Sequence, residues 1–360
     1  MPIYTLTPNP ALDVSGHAKD IIPNEKNYVF SENRDPGGNG INASRIITRL
    51  IRLKRLKFKS VALGFIGGST GDEIRGLLKK EAVLCDFIQI AGLSRINVTV
   101  SNDRTHQQTR LTFPGPQVTT KEIEALGQKI SQLKPQSLLL IGGSLPRGCS
   151  ESFHGKMARI ADQAGVGVIL DVPAKSYAWA FKSKVKYLLV KPNQTELEQY
   201  AGRKFKTDQA ICEGAKTLLE HAHLVVVSLA DRGAILVSAQ GSWFAKAPKI
   251  KARGTVGAGD SMVGAMATQL FQQRIFCGDD IEKLFMNSLP RKPRQQKRPH
   301  KIKSPSRIQD PQSLPPALSE MLKWGLAAGA ATAEASGTQL ALASEIQRLV
   351  KAVKITKIQA

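Results

Sequence analysis

Cysteine is scarce in this 360-residue chain, and its four copies, Cys85, Cys149, Cys212 and Cys277, form no C-x-x-C pair. That spacing excludes the thiolate sets of structural zinc sites and a disulfide framework, and it predicts a reducing interior. Long apolar runs are missing as well: no uncharged stretch approaches the roughly 18 residues of a membrane span. The opening Met1-Pro-Ile-Tyr-Thr-Leu-Thr7 has neither the basic nor the apolar region of a signal peptide, so a cytoplasmic protein with no membrane partner is expected. Acidic residues are the third shortage. Against 51 Lys and Arg stand 29 Asp and Glu, a net charge of +22, enough to attract phosphorylated metabolites and polyanions alike. Binding of nucleic acid therefore stands beside binding of a small anion. In other respects, with 42% hydrophobic and 22% charged residues, the composition is that of a globular enzyme, one large domain with a small appendage.

What the chain does have is strand, glycine turn and helix, repeated. The most informative case ends in Gly254-Thr255-Val256-Gly257-Ala258-Gly259-Asp260 and continues from Ser261 into an Ala-rich apolar helix. The first amides of a helix lack carbonyl partners and lie at the positive end of its dipole, and glycines let the backbone approach a phosphate, so this turn is an anion site. Asp260 is the odd residue in it. It reads either as a helix cap or as a general base beside a phosphate cradle, the arrangement that phosphoryl transfer to an alcohol requires.

The pattern recurs along the chain. An alternating strand over 3–7 breaks at Pro8-Asn9-Pro10 and leads to Asp13, read as a carboxylate at a strand end, where open α/β folds bind ligands. Gly37, Gly38, Asn39 and Gly40 enter a helix over 41–53 that carries Asn42. A buried strand over 61–66 is followed by a glycine-rich turn and a helix over 73–81. Polar strands within 14–34 and a hairpin over 95–113 make a small sheet of their own. Helices over 121–133 and 151–164 alternate with strands over 137–141 and 166–171, the first of which ends in Gly142-Gly143-Ser144. A buried strand over 187–190 ends in Lys191-Pro192-Asn193, with Glu196 three residues on at a helix start, where a Glu also has a routine electrostatic explanation. The strand over 224–228 runs into a turn from Ser228 to Gly233. Six cations between Arg49 and Lys59 read as a solvated helix end or as a polyanion patch.

These motifs, in this order, resemble the ribokinase/PfkB family of sugar kinases over nearly the whole chain. The resemblance implies a ribokinase-like three-layer α/β/α core from residues 1–286 and 317–360, a small β-sheet lid from about 14–34 and 93–113, and a homodimer formed through the lid. It implies ATP and Mg²⁺ as cofactors. By the match, Asp260 is the catalytic base and Gly257, Ala258 and Gly259 form the anion hole. Asp13, Gly37, Gly38, Asn42 and Ser144 would contact the sugar, and Arg95, with Lys26 from the flap, its phosphate. Lys191, Asn193, Ser228, Gly233 and Thr255, together with Gly257 and Gly259, would contact the nucleotide. Asn193 and Glu196 would organise Mg²⁺ through water, in keeping with an ion that takes few carboxylates and keeps several waters. The chain departs from its nearest patterns at Tyr28, where they carry a second Arg, at Asn39, a Gly or Lys elsewhere, and at Ala230, where many have Gly.

The motifs sit nearest the phosphohexose branch of that family. The Phe113-Pro-Gly-Pro116 turn and Gly337-Thr338-Gln-Leu340 favour an ATP-dependent phosphofructokinase converting fructose 6-phosphate to fructose 1,6-bisphosphate. Activities of the 1-phosphofructokinase or tagatose-6-phosphate kinase kind are the alternatives, and a polyanion-binding protein on a kinase-like scaffold is the rival from another class. Residues 287–316 fit no part of the pattern. Their eight cations, one anion and seven prolines leave few apolar groups to offset ordering entropy, so a disordered insertion is expected. It reads as a tolerated surface loop in preference to a nucleic-acid arm, because lengthening a loop costs little stability; subtracting its +7 from +22 still leaves +15, so the loop does not account for the whole basic character.

Overall fold

In the computed structural model, residues 1–105, 107–288, 314–335 and 337–358 are described. Strands made wholly of apolar residues need cover on both faces, because alternate side chains point to opposite sides. The strand Leu138–Gly142 meets that need: Leu139 and Ile141 join one core cluster, Leu138 and Leu140 another. It pairs in parallel with Pro2–Thr7 on one side and Gly167–Asp171 on the other. Parallel pairing continues outward to Lys59–Ile66, and to Tyr187–Val190 and Ala222–Ser228. The first cluster takes Ile130, Met157, Tyr177 and Ile211 from the helices Thr120–Ser131, Phe153–Gln163, Ala174–Phe181 and Asp208–Lys216. The second takes Ile47, Met266 and Leu322 from Asn39–Leu53, Ala258–Gln272 and Pro316–Glu334. A sheet between two helical layers is the three-layer core that the motifs predict.

The lid is a separate four-stranded sheet, in the order Phe30–Gly37, Ala11–Ala18, Arg95–Asn102, Gln108–Thr112. One expectation is corrected here. Asp13 stands within a lid strand, opposite Asp35 and Asn97, and not at the end of a core strand. The Pro8-Asn9-Pro10 break turns the chain from the core sheet directly into the lid. A second correction concerns the helix expected over 73–81, which runs Gly68–Lys80. Gly68 takes a left-handed φ of 64°, so the glycines form the first turn and not a loop. The helix expected from Ser261 begins three residues earlier, at Ala258, and the other bounded helices and strands of the core lie within two residues of the predicted ones.

The sheet ends in an antiparallel meander, Gly233–Ser238, Gly241–Lys246 and Lys354–Ile358, whose last two strands the sequence reading did not identify. Exposed Lys354 and Lys357 suit an edge strand, where charge discourages further pairing. The predicted insertion over 287–316 lies outside the described residues apart from its ends, which finish the helix Gly278–Ser288 and begin Pro316–Glu334. Among the described residues no helix is long and apolar enough to cross a membrane.

Candidate active site

Because the central strands are parallel, their carboxyl ends lie side by side, and such an edge is where an α/β sheet holds ligands. The helix Ala258–Gln272 brings its N-terminus there. Its cap, Gly257, has φ 73°, and a Cβ on it would fall 2.6 Å from Leu340 Cδ2, so glycine is required on both counts. The same helix packs unusually close to Asn39–Leu53: a Cβ on Gly264 would stand 2.8 Å from the carbonyl oxygen of Ala43. One turn back, that approach delivers a hydrogen bond in which Asn42 Nδ2 donates to Asp260 Oδ2 at 2.9 Å. Two motifs more than 200 residues apart meet in this contact.

Lys191 follows directly on the strand Tyr187–Val190, and its ammonium lies 3.6 Å from where a Cβ on Gly259 would be. It forms a buried ion pair with Asp171 at 3.0 Å. Burial opposes the charge on Lys191, but the carboxylates of Asp171, Glu196 and Asp260 outweigh it and hold the ammonium above its ordinary range. Burial and the neighbouring Asp171 carboxylate push Asp260 up to about 6, against the hydrogen bond from Asn42 and the charge of Lys191. Several acids around one cation therefore bind protons more tightly than acids in water, and Asp260 titrates where a general base works best.

On the lid side, Asp13 Oδ1 accepts a hydrogen bond from Asn97 Nδ2 at 2.8 Å, and burial raises its pKa. Gly37 lies directly against this carboxylate, with room for no side chain: a Cβ would be 2.0 Å from Asp13 Oδ2. Gly38 caps the helix that carries Asn42. Ser144 is partly buried on the turn that ends Leu138–Gly142, and Asn39 Oδ1 would lie 3.4 Å from a Cβ on Gly143 in that turn. Arg95 spends two donors on the backbone, with Nη1 donating to Phe113 O and Nη2 to Asn9 O, both at 3.1 Å. Its Nε is buried without a hydrogen-bond partner. Arg95 is thus a strut between a lid strand and two loops as well as a charge near Asp13. Lys26 stands apart: it is exposed, with its ammonium 4.9 Å over the ring of Tyr28.

On the other side, Asn193 and Glu196 cap the helix Gln194–Ala201 reciprocally. Asn193 Oδ1 accepts from Glu196 N, and Glu196 Oε2 accepts from Asn193 N, each at 2.8 Å. Ser228 N donates to Pro192 O at 3.0 Å, which ties this cap to the strand Ala222–Ser228. Leu229 N donates to Gly233 O at 2.8 Å and closes the turn between them. Thr255 is exposed, and its carbonyl accepts from Ala258 N at 3.4 Å. Within the Ser228 turn Ala230 has φ 53°, a left-handed conformation that costs a residue with a Cβ about 1–2 kcal/mol. Ala230→Gly is expected to stabilise the fold by about 0.5–1 kcal/mol, net of the extra chain entropy of glycine. Urea unfolding at neutral pH measures this, and an unchanged or lower midpoint would show that the turn carries no strain.

Residues 10–285 match the family model described as pfkB family carbohydrate kinase. The chain belongs to this family. It is 32% identical over 272 residues to 1-phosphofructokinase of Bacillus subtilis, covering 75% of this chain and 86% of that protein. It is 32% identical over 263 residues to D-tagatose-1-phosphate kinase of Bacillus licheniformis, covering 72% and 83%. The fold aligns with the crystal structure of phosphofructokinase-2 from Escherichia coli in complex with potassium at a TM-score of 0.80 and 27% identity, covering 98% of both chains. The protein is therefore a sugar-phosphate kinase of the phosphofructokinase type.

For a pfkB kinase, the residue that the sequence reading passed over is Asp171. Its signal was present, a single acid ending the otherwise apolar strand Gly167–Asp171. Family membership implies ATP, and the amides of the Gly257–Gly259 turn with Lys191 beside them suit its phosphates. For a divalent ion the fit is looser. Among the described residues no group of three or more His, Cys, Asp or Glu could hold a metal. The capping pair uses Asn193 Oδ1 and Glu196 Oε2 and leaves Glu196 Oε1 free of that contact. These donors fit Mg²⁺ held mainly by phosphate oxygens and water.

Proposed function

We propose that the chain transfers the γ-phosphoryl group of ATP to the free primary hydroxyl of fructose 6-phosphate, giving fructose 1,6-bisphosphate and ADP. The sugar oxygen bonds to the γ-phosphorus while the bond to the bridging oxygen of ADP breaks, and the hydroxyl proton passes to Asp260. The observation that carries this reading is the hydrogen bond from Asn42, which fixes one oxygen of the Asp260 carboxylate beside a helix N-terminus and leaves the other for the hydroxyl. Amides from Gly257 to Gly259, through Ala258, and the Lys191 ammonium face the charge that moves onto the transferred group. When bound, Mg²⁺ would screen the phosphate oxygens, with Glu196, through Oε1, and Asn193 holding its waters. Ser228, Gly233 and Thr255 take the rest of the nucleotide.

Asp13, Gly37, Gly38, Asn42 and Ser144 take the sugar hydroxyls, and Arg95 and Lys26 its phosphate. The strings at 113–116 and 337–340 support fructose 6-phosphate as the acceptor, and the second of them lies against the lid, where Thr338 Oγ1 is 3.3 Å from Ser15 Oγ. A ketohexose 1-phosphate is the second reading, supported by the activities for which the bacterial relatives are named. A coupled assay with fructose 6-phosphate, fructose 1-phosphate, tagatose 6-phosphate and tagatose 1-phosphate tests it. The highest kcat/KM is expected with fructose 6-phosphate. A higher value with either 1-phosphate would transfer the assignment to it, and absence of ATP consumption with all four would remove the proposal.

The outer face of the lid supports pairing as a homodimer, with Ile96, Leu111 and Phe113 exposed to 37%, 55% and 53%. A monomer in sedimentation velocity would set that aside. Four free thiols support a reducing compartment, the cytoplasm, which fractionation checks.

A further inference from the structure

Arg45 is 3% exposed, an unusual place for a guanidinium. Its Nη2 meets Asp35 Oδ1 at 3.0 Å and Glu81 Oε1 at 2.6 Å, and its Nη1 donates to Pro36 O at 3.2 Å. Desolvating such a group costs several kcal/mol, and replacement by packed apolar residues generally serves stability as well, so its presence asks for another reason. Two of its three partners, Asp35 and Pro36, lie on the lid strand just before Gly37 and Gly38.

From Asp35 the contacts run on. Its second oxygen, Oδ2, accepts from Thr338 Oγ1 at 3.2 Å, and the same Thr338 hydroxyl meets Ser15 of the neighbouring lid strand. From Glu81 they run the other way, to Arg49 at 3.0 Å, whose Nη1 donates to the carbonyls of Leu340 at 2.6 Å and Ala341 at 2.8 Å. Leu340 and Thr338 belong to one short segment, so the two paths join. The result is a closed ring through the base of the lid, the helix Asn39–Leu53, the end of Gly68–Lys80 and the segment 337–341.

Asp35 stands directly opposite Asp13 in the lid sheet, and Ser15 lies two residues from Asp13 on the same face of its strand. Asp13 is therefore flanked by the two lid residues that Thr338 holds. We infer that Thr338 and Arg45 are positioning residues that fix the lid over the core and thereby set where Asp13 stands relative to Asp260. The kinetic part of this inference rests on the reaction proposed above, whereas the mechanical part does not.

Thr338→Val keeps the shape and removes both hydroxyl contacts, and Thr338→Ser keeps the hydroxyl. Hydrogen exchange of the unliganded protein is expected to be about tenfold faster in residues 11–18 and 30–37 of the Val variant, with core strands 138–142 and 187–190 unchanged, and near native throughout in the Ser variant. In parallel, KM for the ketohexose monophosphate that the native enzyme uses is expected to rise about tenfold in the Val variant, with KM for ATP within twofold of native and with recovery in the Ser variant. Lid exchange within twofold of native, or acceleration equal in lid and core, overturns the inference. An unaltered sugar KM beside a loosened lid overturns its catalytic part. Should Thr338→Val not fold, Ser15→Ala removes the Ser15 contact alone and is read in the same way. Should the native enzyme consume no ATP with any of the sugars, the proposed reaction fails, and the exchange arm still decides whether the ring holds the lid.

Discussion

Asp260→Asn is expected to abolish most turnover while making the folded protein more stable at neutral pH. Loss of a general base costs roughly 10²–10⁴-fold in rate, and an amide cannot take the hydroxyl proton. The stability gain follows from the carboxylate's own titration. Its pKa stands at about 6 in the fold against 3.8 for a free Asp, because burial and the Asp171 carboxylate disfavour the ion. A carboxyl with a raised folded pKa binds its proton more tightly folded than unfolded, so ionising it costs stability. That cost is complete above pH 6 and disappears below about pH 4. With each unit worth 1.36 kcal/mol, a gain on the order of 1–3 kcal/mol is expected at pH 7.5 and none at pH 4, since the substituted amide can still accept from Asn42. Urea unfolding at the two pH values, beside kcat with saturating ATP and sugar phosphate, measures both effects. Retained turnover, or a loss of stability at pH 7.5, would show that Asp260 is a structural cap. In the native enzyme the same titration is expected to make kcat/KM fall as pH drops through 6.

Much of this was legible from residue order alone, and what was not has identifiable causes. The turn Gly257-Ala258-Gly259-Asp260 announces itself because glycines at a helix start have little to do except admit a ligand or another backbone. Its link to Asn42 was not legible as geometry, since it depends on Gly264 admitting the Ala43 carbonyl, a contact between helices far apart in sequence. Asp13 was assigned to the wrong element, because two prolines before a strand look like a loop until the lid is seen to begin at Ala11. The strand Gly241–Lys246 and the edge strand Lys354–Ile358 are short and mix polar with apolar residues, so they lack the continuous apolar run that marks the central strands. Arg95 illustrates the reverse problem. A charge that the family resemblance assigns to a substrate phosphate is also committed to the carbonyls of Phe113 and Asn9. Asp171 was passed over because its partner is Lys191, on the neighbouring strand's end, and pairing across a parallel sheet leaves no local spacing to read.

That pair yields the second large effect, and its two halves should move the enzyme in opposite directions. Asp171 raises the pKa of Asp260 by like charge, and Lys191 lowers it by opposite charge. Asp171→Asn is therefore expected to shift the acid limb of the kcat/KM profile to lower pH, and Lys191→Met to higher pH, each by on the order of one unit for charges several ångströms apart at a cleft. The costs are unequal. Lys191→Met leaves Asp171 buried with no cation, a change worth roughly 3–5 kcal/mol when a buried pair is broken from one side, and it removes an ammonium from beside Gly259, with an expected loss of about 10²–10³ in kcat. Asp171→Asn leaves Lys191 the carboxylates of Glu196 and Asp260, so its destabilisation should be the smaller of the two. Profiles of kcat/KM from pH 5 to 9 for both variants, with urea unfolding at pH 7.5, decide the matter. Shifts of the same sign, or no shift in either, would mean that these side chains do not sense the charge on Asp260. The site would then have to be rebuilt around a different base.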